Sequence, residues 1–167
     1  MKRLLISILA LAAATAPLHA AEWTVSSQQG LGLTAGASKG DYFIGFVCRP
    51  GSIGVAYLVP GGEVDKAIGG LKNLDIAMTV DGTATHSEAS PSRFGSRTGF
   101  IFAGDVGNYW AGKAYRARAT VKIALADDSS GKPVGAHNVT VFSASGIKAA
   151  IDQFLVACPS AGRLLRP

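Results

Sequence analysis

Few residues in this 167-residue chain are typed and spaced for chemistry, and most lose that role when their neighbours are read with them. Gly36-Ala37-Ser38-Lys39-Gly40 has the G-x-S-x-G spacing that sets a nucleophilic serine on a strand-to-helix elbow. The next run, Tyr42–Cys48, is apolar and reads as a strand instead of a helix, so the glycine-flanked segment reads as a turn. Gly30-Leu31-Gly32 has no third glycine at position 35 and no helix behind it, which removes the dinucleotide loop. Gly131-Lys132 runs into Pro133 without a spaced glycine before it, which removes the phosphate loop. A zinc site needs three or four ligands. His86 has only Glu88, two residues on along the same strand face, and Asp81 nearby in sequence, and His137 stands alone. An exposed polar strand accounts for the same residues. Asp127-Asp128 is turn chemistry rather than an acid-base pair, and the sequon Asn138-Val139-Thr140 matters only in a host that glycosylates exported proteins. The expectation is a non-enzyme with no catalytic residue, no cofactor and no metal.

Two features survive. The first is Tyr115, Arg116, Arg118 and Lys122, with Lys113 nearby. By a period of two, Arg116, Arg118 and Lys122 fall on one face of a predicted strand. A basic stripe beside a tyrosine suits an anionic glycan, a lipid headgroup or an acidic protein surface, although an ordinary solvated strand face is the plainer reading. The second is the cysteine pair, Cys48 at the end of an apolar strand and Cys158 about a hundred residues later. Neither belongs to a C-x-x-C motif. In an oxidising compartment they favour a disulfide, the alternative being two buried thiols.

That compartment is implied by the start of the chain. Lys2 and Arg3, the apolar run Leu4–Ala14 and the small-residue exit through Pro17, Ala20 and Ala21 have the form of a signal peptide over residues 1–20. The run is about 11 residues, short of the roughly 20 that a spanning helix needs, and no cysteine follows it to carry a lipid. The mature chain is expected without a transmembrane segment, in the periplasm or secreted. Losing Lys2 and Arg3 lowers the formal charge from +5 to +3, too mild and too dispersed for a nucleic-acid partner.

Residues 21–160 read as a single β-rich domain, with 161–167 a loose tail. Leu74, Ile76, Met78 and Val80 alternate strictly with Asp75, Ala77 and Thr79 up to the Asp81-Gly82 turn. Ala117 to Leu125 alternates in the same way. Tyr42–Cys48 and Ile53–Val59 form an apolar hairpin, and Trp23–Ser26 and Leu31–Ala35 are shorter strands, the latter with little bulk on one face. Ala89–Ser96 reads as a surface loop, Asn108–Ala114 as a short helix or packed loop, and Tyr109 with Trp110 as a core plug. After Ser143 the period becomes helical: Ile147, Ile151, Phe154 and Cys158 share a stripe, Ser143 or Ser145 serves as N-cap, and Pro159 ends the helix. Seven to nine short strands and one helix predict an antiparallel β-sandwich or partly open barrel with a C-terminal helix packed on it. The shared stripe aims Cys158 at the sheet that holds Cys48.

The order of these elements resembles a group of exported proteobacterial proteins that includes the invasion-associated locus B family and certain type VI secretion accessory proteins. A tryptophan strand at Trp23, an apolar strand ending in Cys48, a strand ending in Asp81-Gly82 and the close V-T-V-F-S-A-S-G-I-K-A-A-I-D-Q-F-L-V-A-C carry the resemblance. The extra cysteines of many invasion-associated members are missing. The resemblance implies a β-sandwich-like periplasmic domain without catalytic residues and transfers no functional residue. The expected function is a periplasmic accessory or binding protein, envelope- or secretion-associated, whose partner is a protein or envelope component. The alternative is an inhibitor or immunity-type protein that blocks an envelope-degrading enzyme such as lysozyme, with loops Ala89–Ser96 and Asp127–Lys132 as the inserting segments.

Overall fold

The computed structural model describes residues 22–62, 66, 74–127 and 139–159. The expected signal peptide, tail, His137 and the turn after Asp127 lie outside them. The described elements are β1 (Thr24–Gln28), β2 (Gly32–Lys39), β3 (Tyr42–Arg49), β4 (Ser52–Pro60), β5 (Leu74–Val80), β6 (Thr83–Ala89), β7 (Ser92–Phe94), β8 (Arg97–Phe102), α1 (Gly104–Tyr115), β9 (Thr120–Asp127), β10 (Val139–Ser143) and α2 (Ile147–Ala157). They make two antiparallel sheets, β1-β2-β3-β4-β8-β7 and β10-β9-β5-β6. The fold is therefore mainly β, a sandwich rather than a closed barrel, with α2 at its C-terminal side.

Alternation dictates what the sandwich encloses. Leu74, Ile76, Met78 and Val80 of β5 meet Val121, Ile123 and Leu125 of β9 on one face of the smaller sheet. Opposite them stand Ile44 and Phe46 of β3, Val55 and Tyr57 of β4, and Phe100 and Phe102 of β8. One polar link crosses this core. The Tyr57 hydroxyl of β4 and the Thr140 hydroxyl of β10 are 2.8 Å apart and both buried. Burial pushes the Tyr57 phenol well above its ordinary range, so it stays neutral and hydrogen-bonded.

The C-terminal segment closes one end. Ile147, Ile151 and Phe154 are buried on a single stripe of α2, which packs on β1 and β2. Cys158, 1 % exposed, is bonded to Cys48 of β3, with Cα atoms 5.8 Å apart across a separation of 110 residues. The Trp23 indole donates to the Ser143 carbonyl at 2.7 Å and its ring stacks on Phe46 at 5.5 Å, so the start of the domain is held against its end.

Several elements differ from the sequence reading. Of the two readings of Asn108–Ala114 the helix is the one found, and it is longer than that segment. The Asn108–Ala114 segment lies within α1, where Trp110 is buried against Phe102 but Tyr109 is 52 % exposed, so only one of the aromatic pair plugs the core. The surface loop Ala89–Ser96 contains the edge strand β7. β9 begins at Thr120 rather than near Ala117, because Ala117 N–H still bonds the Ala114 carbonyl of the helix end. The next three N–H groups, of Arg118, Ala119 and Thr120, donate to the Asp81 carboxylate at 2.7, 2.9 and 3.2 Å. These bonds hold the Asp81 carboxyl below its ordinary value. Asp81 and Gly82 both have positive φ, the conformation of a two-residue type I′ hairpin turn. Neither Ser143 nor Ser145 is the N-cap of α2: Gly146 is, at φ 79°, while the Ser143 hydroxyl accepts from the Ser145 N–H one turn earlier.

Candidate binding cleft

The face of the six-stranded sheet turned away from the smaller sheet carries Phe43, Val47, Ala56 and Leu58, all buried, interleaved with Gly36, Gly45, Gly54 and Gly99. The glycines make room for rings laid flat. A Cβ on Gly36 or Gly45 would fall 2.5 Å from the Phe43 ring, and one on Gly99 would fall 2.4 Å from Phe94 and 2.6 Å from Leu58. Alternating glycine with bulky side chains on this face lets a twisted sheet coil strongly.

The coil brings opposite corners of the sheet together. Gln28, Gln29 and Gly30 lie at the far end of β1, whereas Phe94, Gly95 and Ser96 lie at the other end of the sheet, beside the last residues of β4. Even so, a Cβ on Gly30 would lie 3.0 Å from the Phe94 ring, and one on Gly95 would lie 3.3 Å from the Gln29 side-chain oxygen. The second corner is fixed by the Gly61 N–H, which donates to the Ser96 carbonyl at 3.2 Å.

Between the corners is a cavity of about 250 Å³ lined by Gln28, Gln29, Leu58, Phe94, Ser96 and Arg97. Leu58 and the half-buried Phe94 give it an apolar floor, and the carboxamides, hydroxyl and guanidinium give it a polar wall. Among the described residues the half-buried Arg97 side chain has neither an ion-pair nor a hydrogen-bond partner. Gln28 is steadied by a 3.3 Å bond from its amide to the Ser26 hydroxyl. The arrangement offers one cation, several neutral hydrogen-bonding groups and an aromatic ring to something small.

The residues singled out from the sequence lie elsewhere. Tyr115 ends α1, and its hydroxyl donates to Asp152 of α2 at 2.8 Å while the Lys148 ammonium sits 5.7 Å from its ring centre. It joins the two helices. Arg116 is the C-cap of α1, Arg118 precedes β9, and only Lys122 is on the strand, so a period of two does not relate them. All three are exposed. Lys113 lies 5.4 Å from the Tyr109 ring centre. His86 pairs with Asp75 at 2.5 Å on the outer face of the smaller sheet, not with Asp81, whose carboxylate is taken by backbone. Among the described residues no three His, Cys, Asp or Glu side chains form a metal-sized cluster, and no described helix is long and apolar enough to cross a membrane. The cleft escapes a reading of the sequence because Gln28, Gln29 and Arg97 carry no local signal. Gly36 of β2, Gly45 of β3, Gly54 of β4 and Gly99 of β8, each inside a strand, are the visible trace of the coil that builds it. No family model, no curated protein and no solved structure matches this chain.

Proposed function

We propose that this is an exported, non-enzymatic accessory protein of the cell envelope that binds a protein or envelope component through the corner cleft. The cleft carries this reading. Its lining sets two carboxamides, a hydroxyl and a guanidinium beside the smaller apolar patch of Leu58 and Phe94, which suits a small polar ligand. Export is supported by the sequence of residues 1–20 and by the disulfide, since such bonds persist where thiols are not kept reduced. The test is site-specific photo-crosslinking in cells that export the protein. A crosslinker at Ser96, in the cleft, is expected to give a discrete adduct in the envelope fraction, and one at Val156, exposed on α2, is not. Equal labelling from both positions, or recovery of the chain in the cytosol with two free thiols, would overturn the proposal. Inhibition of lysozyme by a one-to-one complex would replace it with the inhibitor reading.

A further inference from the structure

We infer that the cleft receives the carboxylate end of a peptide, a reading that rests on the cleft being the binding site. Three observations converge. Arg97 is half-buried in the cavity wall, and among the described residues nothing satisfies its guanidinium, whose planar fork matches a carboxylate. A solvent-reachable guanidinium that pairs with no described group leaves its fork of N–H donors available to an anion entering the cavity. The cavity of about 250 Å³ lies below the roughly 300–1,000 Å³ of sites for drug-sized ligands, which limits the occupant to one or two residues.

The third observation selects a peptide. Arg97 opens β8 directly opposite Phe94 of β7, and β7 pairs with β8 alone among the described strands, so it is the edge of the sheet. Arg97 and Phe94 point to the same outer face as Leu58. An extended chain beside β7 would present its amides to an open strand edge and to the Gln28 and Gln29 carboxamides. Its terminal carboxylate would reach Arg97 and its last side chain the Leu58 and Phe94 floor. Gly95 and Gly99 keep that floor open, for a Cβ at either would meet Gln29 or the Phe94 ring.

The test is a titration of the ¹⁵N-labelled, disulfide-intact domain, following the Gln28 and Gln29 side-chain amides and the Arg97 Nε–H. Four probes are used: N-acetylalanine, N-acetylalaninamide, glucuronate and glucose. N-acetylalanine is expected to shift all three signals with a dissociation constant on the order of 1 mM. The neutral amide should bind roughly 10-fold more weakly. Arg97→Gln should weaken the acid by about the same factor and leave the amide unchanged, while Arg97→Lys falls between them. The melting temperature of each variant reports its folding independently. Equal binding of acid and amide would refute the carboxylate while leaving the cleft as a site. Glucuronate acting alone would refute the peptide. No shift from any probe would refute this inference, and the Ser96 crosslink then decides whether the cleft binds something else.

Discussion

Breaking the Cys48–Cys158 bond tests whether the C-terminal helix clasps the fold. The bond joins residues 110 apart, from the end of β3 to the end of α2, so it closes most of the domain into one loop. In the chain-entropy account a loop of that length removes about 5 kcal/mol of conformational freedom from the unfolded state. For a chain of this size that converts to a fall in melting temperature of roughly 10–20 °C. Cys48→Ala/Cys158→Ala also deletes the buried Cys158 sulfur, which adds about 1 kcal/mol of lost packing. Wild type melted in reductant keeps the sulfur and isolates the loop term. Both samples are expected to melt well below the oxidised protein, with the variant the lower by a few degrees. The companion assay is alkylation of the unfolded, unreduced protein followed by intact mass, which should show no added label. A melting shift under about 3 °C in both samples, or two labelled thiols, would refute the clasp.

Individual contacts carry other consequences. Tyr57→Phe should cost about 1–2 kcal/mol by leaving the Thr140 hydroxyl buried without its partner, and Thr140→Val a similar amount; the double variant should cost less than the sum, as chemical denaturation of the four proteins will show. Gly107→Ala puts a methyl 2.5 Å from the Ile53 and Phe102 carbonyl oxygens, so α1 must move off the strand ends, at roughly 1–3 kcal/mol or more; a melt indistinguishable from wild type would contradict this packing. Asp81→Asn keeps the type I′ turn, which asparagine tolerates, but loses the charge held by three N–H groups. Because the folded-state pKa is lowered from 3.8, the ionised carboxylate stabilises the fold above that value, and the contribution disappears as pH falls through the lower folded value. Wild type should therefore outlast the variant at neutral pH, with the gap in melting temperature closing in acid. A gap independent of pH would sink that assignment.

Local pattern was sufficient wherever one face of an element meets the core and the other meets water. The strict alternation from Leu74 to Val80 is the buried-and-open pattern of β5, and the stripe Ile147, Ile151, Phe154 and Cys158 is the buried side of α2 and its exit. Because helical period fixes direction, that stripe also aimed Cys158 at the sheet of Cys48, and the two are bonded. Local pattern misled where a distant group captured the backbone. Ala117 and Ala119 alternate as a strand would, yet the Ala114 carbonyl and the Asp81 carboxylate hold those N–H groups and delay β9 to Thr120.

The sequence by itself determined the class of the fold, its pairing by disulfide and its amphipathic surfaces, since these depend on side-chain period and on chemistry that neighbours a few residues apart already display. Only the tertiary structure decided where recognition could occur. Gln28 and Gln29 lie nearly seventy residues from Arg97 in the chain, at opposite corners of one sheet. What brings them together is the coil of six strands around a face of glycines and flat rings, a sum of small twists that no single stretch of residues encodes.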